Sequence, residues 1–278
     1  MADHIADRPA APPKAGLRTK SLTVLAVAAT VTILAPATFA WSAIVGQWNM
    51  NEPAGSTLML DSAAPAANSS PYSGVVDNGS TYLFPGWTNN LTPTGQLSGV
   101  LATSSLGEIR VPDPSGKLLP LTSSFSVAVR LRPTLVNGSL PTDGVDPALI
   151  NPSYNVVQRG RATDPGGFYK LELIGYGSKY GKIHCGMKAP GYNSVDVYSG
   201  PLLDGNFHTV DCTIDRLAKV LRITTDGVVS WTKSYGSTYG SISPRDIYGT
   251  FLTVGKKPGS LNPADAFAGE IDWVSASR

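Results

Sequence analysis

The stretch that decides the fold is Phe125-Ser-Val-Ala-Val-Arg-Leu-Arg-Pro133, in which apolar and more polar side chains alternate. Successive side chains of a β-strand point to opposite faces of a sheet. The apolar set is Phe125, Val127, Val129 and Leu131, and the opposite set is Ser126, Ala128, Arg130 and Arg132. The pattern predicts a strand that is buried on one side, as in a sandwich of two antiparallel sheets.

Short alternating segments of the same kind make up the rest of the chain. From Ile44 onward no segment keeps the apolar period of a helix, and Gly, Pro, Asn or Asp bounds each run. Asp226-Gly227 provides the two-residue turn of a β-hairpin, because both residue types readily take positive φ. The predicted strands are Ile44–Met50, Glu108–Val111, Phe125–Leu131, Asn155–Arg159, Phe168–Ile174, Lys182–Lys188, Val195–Tyr198, Phe207–Ile214, Val220–Thr225, Val228–Thr232, Phe251–Val254 and Ala268–Ser275.

This organisation predicts an all-β domain over residues 41–278, a two-sheet antiparallel β-sandwich of jelly-roll type. Charged residues make up 15% of the chain, against about a quarter in an average soluble domain. Collagen, a coiled coil and a multi-span membrane protein are excluded. The sequence has no Gly-x-y period, no heptad run and no second long apolar stretch.

The first 40 residues have the pattern of an export signal. Residues 1–20 carry four basic side chains, residues 21–40 are apolar and uncharged, and small residues precede residue 41. The pattern predicts an apolar signal helix in a signal peptide, residues 1–40, and a secreted or cell-surface protein. The alternative is an uncleaved anchor, because the apolar run continues to Val45 and residues 21–45 are long enough to span a bilayer.

The charge balance excludes nucleic acid as a partner. The chain has a formal net charge of +2, and residues 1–40 contain four basic and two acidic residues, so the remainder is formally neutral. A protein without a positive field cannot displace the counterions around nucleic acid. We expect contact with a membrane only through an uncleaved N-terminal segment.

Cys185 and Cys212, the two cysteines, each lie in an alternating, strand-like segment. In an oxidising compartment we expect a disulfide between neighbouring strands, which stabilises the fold by constraining the unfolded chain. The alternative is a pair of buried free thiols. Two cysteines without paired histidines supply too few ligands for zinc.

Six segments follow one another in an order that is typical of a known family. They are Val45-Gly-Gln-Trp-Asn-Met-Asn-Glu52, Asp61-Ser62, Phe125–Pro133, Phe207-His-Thr-Val210, Leu221-Arg-Ile-Thr-Thr-Asp-Gly227 and Phe267-Ala-Gly-Glu-Ile-Asp-Trp-Val274. Together they resemble the LamG-like jellyroll group of the concanavalin A-like lectin/glucanase superfamily over nearly all of residues 44–275. One departure is the segment Ala63-Ala-Pro-Ala-Ala-Asn-Ser-Ser70, which stands where the family has a Gly/Asn-rich loop.

The resemblance raises the question of catalysis. Laminarinase-type glycoside hydrolases share the superfamily fold and carry a Glu-x-Asp-x-x-Glu or Glu-x-Asp-x-Glu motif, whose start is similar to Glu270-Ile-Asp272. Retaining hydrolysis needs two carboxyl groups about 5–5.5 Å apart. The third motif position is Val274 or Ser275 in this chain, and neither transfers a proton at neutral pH. We therefore expect no enzyme, and a Glu270/Asp272 glycosidase acting on β-glucans is the alternative.

Calcium is also implied by the resemblance, since many relatives bind one Ca²⁺ through loop oxygens at one end of the sandwich. The family topology places the first and last strands in one sheet, which makes Glu52, Asp61 and Asp272 the candidate ligands. In the alternative, Asp61 forms an Asx-type turn and the other two carboxylates are solvated.

A duplicated hexapeptide suggests a binding surface. Tyr176-Gly-Ser-Lys-Tyr-Gly181 recurs as Tyr235-Gly-Ser-Thr-Tyr-Gly240. Tyrosines flanked by glycines in loops expose a ring that stacks on a sugar and a hydroxyl that hydrogen-bonds to it. The candidate ligand-binding residues are Tyr176, Tyr180, Tyr192, Tyr198, Trp231, Tyr235 and Tyr239. The alternative is two turns decorated with half-buried tyrosines, and we expect His184 and His208 to be structural.

These observations predict an exported, non-catalytic module that recognises carbohydrate or another surface polymer through loop aromatics. Two alternatives stay open, a laminarinase-type hydrolase and a structural module that packs against another protein. A hydrolase requires a carboxylate pair in a deep cleft. A protein-interaction module requires an exposed apolar patch of several hundred Å².

Overall fold

Antiparallel strands make up most of the chain that the structure describes. This computed structural model describes residues 43–50, 52, 58–63, 72–77, 90–91, 97–98, 108–133, 135, 140, 152–260, 265–267 and 269–278. All of them belong to residues 41–278, which form one compact unit. The predicted signal peptide lies outside the described residues. Within the described residues, no helix has both the length and the apolar character needed to cross a membrane.

Sixteen strands occur in the described residues. They are β1 (Ile44–Trp48), β2 (Leu58–Met59), β3 (Gly74–Asp77), β4 (Asn90–Leu91), β5 (Leu97–Ser98), β6 (Glu108–Pro112), β7 (Phe125–Pro133), β8 (Ser153–Arg159), β9 (Phe168–Ile174), β10 (Lys182–Lys188), β11 (Val195–Pro201), β12 (His208–Asp215), β13 (Val220–Thr225), β14 (Val228–Ser234), β15 (Phe251–Val254) and β16 (Gly269–Ser277).

The strands form two large sheets and one small pair. One sheet has six strands in the order β1-β16-β7-β12-β13-β14, and the other has eight in the order β11-β10-β9-β8-β15-β6-β3-β2. β4 pairs with β5. The predicted two-sheet antiparallel sandwich is confirmed, and each of the twelve predicted strands is present with bounds that shift by a few residues.

The strand at residues 125–133 lies near the centre of the six-stranded sheet, as β7 between β16 and β12. Val129 lies opposite Val210 of β12 and Val274 of β16, and all three side chains are buried. This register places the apolar half of β7 in the core and directs Arg130 and Arg132 away from it.

An apolar core fills the space between the sheets. Trp48, Leu131 and Phe267 are among its fully buried side chains. The indole N–H of Trp48 donates to the carbonyl oxygen of Tyr72 (2.9 Å), so the one polar atom of this buried ring has a partner. A Cβ atom at Gly46 would lie 2.6 Å from the Trp48 ring, and glycine is therefore needed for the ring to pack under β1.

Cys185 and Cys212 form the expected disulfide. The expectation that it joins neighbouring strands is wrong. Cys185 lies on β10 of the eight-stranded sheet and Cys212 on β12 of the six-stranded sheet, so the bond crosses the core between the sheets. Both cysteines are buried because they occupy inward positions of their alternating strands.

Candidate functional site

The outward side of the eight-stranded sheet is polar, although several of its side chains are buried. On β9, Leu171 and Leu173 face the core, so Lys170 and Glu172 face outward. Glu172 lies opposite Asn155 of β8 and His184 of β10. Asn155, Glu172 and His184 are each less than a tenth exposed. Buried polar groups need hydrogen-bond partners, so this face is a place to look for a ligand site.

A pocket of about 110 Å³ opens on this side of the sheet. That volume corresponds to about four water molecules. Its lining combines amides, lysines, a carboxylate and an aromatic ring, and consists of Ser153, Asn155, Gln158, Ala162, Phe168, Lys170, Glu172 and Lys257. We call this feature the outer-face pocket.

Asn155 has an unsatisfied acceptor in the outer-face pocket. Its Nδ2 donates to the carbonyl oxygen of Ser153 (3.2 Å). Its Oδ1 is buried and finds no hydrogen-bond donor among the residues that the structure describes. Leaving a buried acceptor unpaired costs about 1–3 kcal/mol. A ligand or water that donates to Oδ1 recovers that free energy.

Four charged side chains form a row that begins with Lys170 and Glu172 in the pocket lining and continues outside it, and we call this row the charged wall. Glu172 Oε1 lies 2.6 Å from Lys170 Nζ and 2.7 Å from His184 Nδ1. His184 Nε2 lies 2.8 Å from Asp196 Oδ1. Both ring nitrogens of His184 therefore face carboxylates, and each donates a hydrogen bond when the ring is protonated.

The environment keeps this charged wall ionised. Burial raises the pKa of Glu172, but the hydrogen bond from His184 and the charge of Lys170 outweigh it and lower the pKa to about 2. Burial lowers the pKa of His184, but the hydrogen bonds to Asp196 and Glu172 reverse that effect and the pKa is raised. At neutral pH Glu172 therefore offers acceptor oxygens and not a proton.

Tyr198 and Trp231 lie at the end of the charged wall. Tyr198 of β11 is opposite His184, and the two rings stack with centroids 4.8 Å apart and an interplanar angle of 17°. Lys179 Nζ lies 3.4 Å from the centroid of the Tyr198 ring. The Trp231 ring is 6.2 Å from that of Tyr198, and the residue is 51% exposed. The structure thus brings two of the predicted ligand-binding aromatics together.

Tyr192, Tyr235 and Tyr239 form a second aromatic group. The Tyr239 ring lies 5.0 Å from that of Tyr192 and 5.1 Å from that of Tyr235. Their hydroxyls donate to backbone carbonyl oxygens, those of Thr238 (from Tyr192), Asp215 (from Tyr235) and Met187 (from Tyr239). These bonds fasten the second hexapeptide to the body of the sandwich. A role of the group in ligand binding stays a prediction.

Tyr176 and Tyr180 lie in the connection between β9 and β10, which contains the short 3-10 helix Gly177–Lys179. Both are exposed, and the Tyr180 hydroxyl accepts a hydrogen bond from the backbone N–H of Leu140 (2.7 Å). Ring contacts therefore join five of the seven predicted aromatics into two groups, Tyr198 with Trp231 and Tyr192 with Tyr235 and Tyr239.

Glu270 and Asp272 lie on the six-stranded sheet, away from the outer-face pocket. Glu270 pairs with Arg132, and Asp272 pairs with Arg130. The two arginines flank the ring of Phe207 at 4.6 and 4.8 Å from its centroid. Both carboxylates of the hydrolase-like motif thus belong to a ladder of ion pairs between β7 and β16.

The three candidate calcium ligands each have a protein partner. Glu52 Oε1 accepts from the backbone N–H of Leu60 (2.7 Å). Asp61 Oδ1 accepts from the N–H of Ala63 (3.0 Å), as the Asx-type turn requires. In the described part of the chain, no three His, Cys, Asp or Glu side chains are grouped so that they can hold a metal ion. Calcium binding stays a prediction of the family resemblance.

The sequence pattern did not single out Asn155, Lys170 and Glu172. Their signal was present, since each is a polar residue at an outward position of a strand whose inward residues are apolar. Such a polar residue indicates which face of the sheet is directed outward, but it does not indicate that a pocket lies on that face. The pocket exists because two other residues lie beside those strands, Ala162 from the connection between β8 and β9 and Lys257 from a distant part of the chain.

Comparison with known proteins shows similarity in fold. No protein-family model matches the chain, and curated protein sequences give no match. The binding domain of Paraclostridial Mosquitocidal Protein 1 matches with 13% identity and a TM-score of 0.56, over 84% of this chain and 48% of that one. This chain thus spans about half the length of that structure. Domain 4 of AbnA, a GH43 extracellular arabinanase from Geobacillus stearothermophilus, in complex with arabinotriose, matches with 13% identity and a TM-score of 0.53, over 86% of this chain and 93% of that one.

At these identities the matches establish the sandwich fold and nothing finer. Mouse laminin alpha1 chain domains LG4-5 match with 14% identity over 60% of this chain and 37% of that one, and with a TM-score of 0.39. That score is too low to support the assignment to the LamG-like group. The family resemblance is confirmed only as to the antiparallel β-sandwich fold.

Proposed function

We propose that this protein is an exported, non-catalytic carbohydrate-binding module whose ligand lies in the outer-face pocket. The observation that carries the proposal is the buried Oδ1 of Asn155, an acceptor that lacks a donor in the described structure. Lys170 and Glu172 lie on the same wall of the pocket. A sugar hydroxyl both donates and accepts, so one ligand unit can satisfy all three side chains.

The charges of the side chains that line the outer-face pocket favour an uncharged polyol over a charged ligand. Lys170 pairs with Glu172 (2.6 Å) and Lys257 pairs with Asp265 (3.6 Å), so each charged side chain of the lining has a partner of opposite charge. A ligand of one charge would match one member of each pair and oppose the other. The ring of Phe168 adds an apolar surface on which the C–H face of a sugar packs.

The arabinanase domain supports the choice of first probe. That domain has the same fold and is described in complex with arabinotriose. Arabino-oligosaccharides are therefore the first ligands to test, beside oligosaccharides of xylan and β-glucan.

The charges of the site favour binding over hydrolysis. A glycosidase needs a carboxyl group that gives up a proton near neutral pH. The pKa of Glu172 is about 2, so this carboxylate has no proton to give. Glu270 and Asp272 are engaged by arginines on the other sheet. Release of reducing sugar from a β-glucan, abolished by Glu270→Gln, would contradict the proposal.

The test compares glycan binding by two asparagine variants. A glycan array and isothermal titration calorimetry identify the ligand of the purified protein. Asn155→Ala removes the pocket acceptor, and we expect at least a tenfold loss of affinity, about 1.4 kcal/mol. Asn193→Ala changes an exposed asparagine outside the pocket lining and is the matched control.

A second variant tests whether a loss of affinity in Asn155→Ala reflects a lost contact with the ligand or a structural change at residue 155. Lys170→Met keeps the length of the side chain and removes its ammonium group, and we expect a loss of the same order. Thermal melts verify that both variants are folded. Wild-type affinity in both variants, or an array without any bound glycan, would overturn the proposal.

A further inference from the structure

Trp231 extends the polar face beyond the edge of the eight-stranded sheet. The last strand of that sheet is β11, and the last strand of the other sheet is β14. Trp231 of β14 reaches Tyr198 of β11, with 6.2 Å between the ring centroids. Lys233, two residues further along β14, is close enough to Asp196 to help lower the pKa of that carboxyl group. The edge of one sheet thus continues the binding face of the other.

A continuous row of side chains joins the outer-face pocket to Trp231. Glu172 in the pocket contacts His184, and the His184 ring stacks on that of Tyr198. Trp231 follows Tyr198 and keeps about half of its surface exposed. Each step of the row crosses to the next strand, so the row runs across the strands and not along them.

Gly186 makes room for the side chains of this row. It lies opposite Lys170 on β9 and Asp196 on β11. A Cβ atom at this position would lie 2.9 Å from His184 Nε2. The same Cβ atom would also lie 3.2 Å from Asp196 Oδ1, so glycine gives the His184 ring and the Asp196 carboxylate the room to meet.

The length of the row exceeds what one small ligand unit covers. Adjacent strands lie about 4.8 Å apart, so the distance from β8, with Asn155, to β11, with Tyr198, is about 14 Å. Trp231 lies beyond β11. The pocket itself has a volume of about 110 Å³. A ligand that contacts both ends is a chain of several units.

We propose that the carbohydrate is a polysaccharide chain that crosses the strands, with one unit anchored in the outer-face pocket and another stacked on Trp231. The proposal rests on the proposed function and adds the class of ligand, a polymer bound along its length. The exposed indole ring of Trp231 supplies the stacking surface. Lys179, above the Tyr198 ring, supplies a hydrogen-bond donor between the two anchor points.

The experiment measures affinity as a function of chain length. Arabinose and the linear arabino-oligosaccharides of two to six units are titrated into the purified protein, or the same series from the polymer that the array selects. We expect the wild-type affinity to rise at least tenfold from the monosaccharide to the longest chain. Trp231→Ala should bind the monosaccharide as the wild type does and lose the gain with length.

Val229→Ala is the matched control. Val229 lies on the same strand and is 53% exposed, against 51% for Trp231. We expect it to reproduce the wild-type dependence on length. An equal loss in both variants would assign the effect to the edge strand and overturn the role of the tryptophan ring.

The remaining outcomes separate the two proposals. If monosaccharide and hexasaccharide bind the wild type equally, or if Trp231→Ala keeps the wild-type gain with length, the polymer inference is wrong and the pocket proposal stands. If no sugar or polymer binds the wild type, the proposed function itself fails.

Discussion

His184 lies between two carboxylates on a face where water has little access. Its ring nitrogens lie 2.7 Å from Glu172 and 2.8 Å from Asp196, and the residue is 7% exposed. His208 is held in the same manner near the surface, with both nitrogens 2.8 Å from aspartates. Each histidine thus has the carboxylate partners that the predicted structural role requires.

We expect the protein to lose stability as the pH rises above neutrality. The folded-state pKa of His184 is raised above the ordinary value of 6.5, mainly because its hydrogen bonds to Asp196 and Glu172 outweigh burial. Its contribution is therefore complete below about pH 6.5, where the unfolded histidine is also protonated, and disappears as the pH rises through the folded pKa. Urea unfolding from about pH 6 to 9 measures this loss.

The variant His184→Gln should be less stable than the wild type at pH 6 by about 1–3 kcal/mol, since Glu172 loses a charged partner in a buried site. Its stability should change less with pH. His208→Gln is the control, with the same sign and a smaller effect, because the aspartates around His208 are half exposed. Identical pH dependence in the wild type and His184→Gln would contradict the assignment.

Among the elements, the β13–β14 hairpin depends on two residues with positive φ. Asp226 has φ 50° and Gly227 has φ 79°, as the Asp-Gly turn predicts. A Cβ atom on Gly227 would meet no neighbour within 4 Å. Substitution there consequently tests the backbone conformation without a steric clash.

Gly227→Ala should lower the free energy of unfolding by about 1 kcal/mol, because an L-residue is disfavoured at positive φ. Gly200→Ala is the matched control, since Gly200 also has open space around it and does not have positive φ. We expect Gly200→Ala to leave the stability unchanged or slightly higher. Urea unfolding of both variants gives the comparison, and equal effects would disprove the argument from φ.

Strand alternation predicted which segments form strands well and the first and last residues of those strands less well. β8 begins at Ser153, before the predicted start at Asn155, because a bulge between Asn155 and Val157 interrupts the alternation. The two-residue strands β2, β4 and β5 are too short to show any period. The pairing of Cys185 with Cys212 was predictable because the chain has only two cysteines. That the bond crosses the core was not predictable, because it depends on which sheet each strand joins.

The candidate site was less predictable for a related physical reason. A polar residue at an outward strand position looks the same in the sequence whether it faces solvent or a pocket. Asn155 and Glu172 became distinguishable only when the fold showed them buried beside Lys257, about a hundred residues away in the chain. Trp231 was predicted from its residue type, and its contact with Tyr198 depends on how the two sheet edges meet.

At the scale of the whole molecule, the disulfide joins a strand of the proposed binding face to the opposite sheet. Cys185 precedes Gly186 and follows His184 on β10, and it points inward while His184 points outward. The bond therefore fixes β10 from the core side without occupying the binding face. Such a bond persists in an oxidising compartment, which agrees with the proposed export.

Removing this bond should reduce stability and preserve the site. The two cysteines are 27 residues apart in the chain, and a loop of that length corresponds to about 3–4 kcal/mol of stabilisation. We expect Cys185→Ala combined with Cys212→Ala to lower the free energy of unfolding in urea by this amount. The wild-type protein, unfolded in urea with a reductant present, should have a free energy of unfolding close to that of the double variant. Because neither sulfur lies on the outward face, the folded double variant should bind its glycan with wild-type affinity, and a large loss of affinity would show that β10 needs the bond to hold His184 and Glu172 in place.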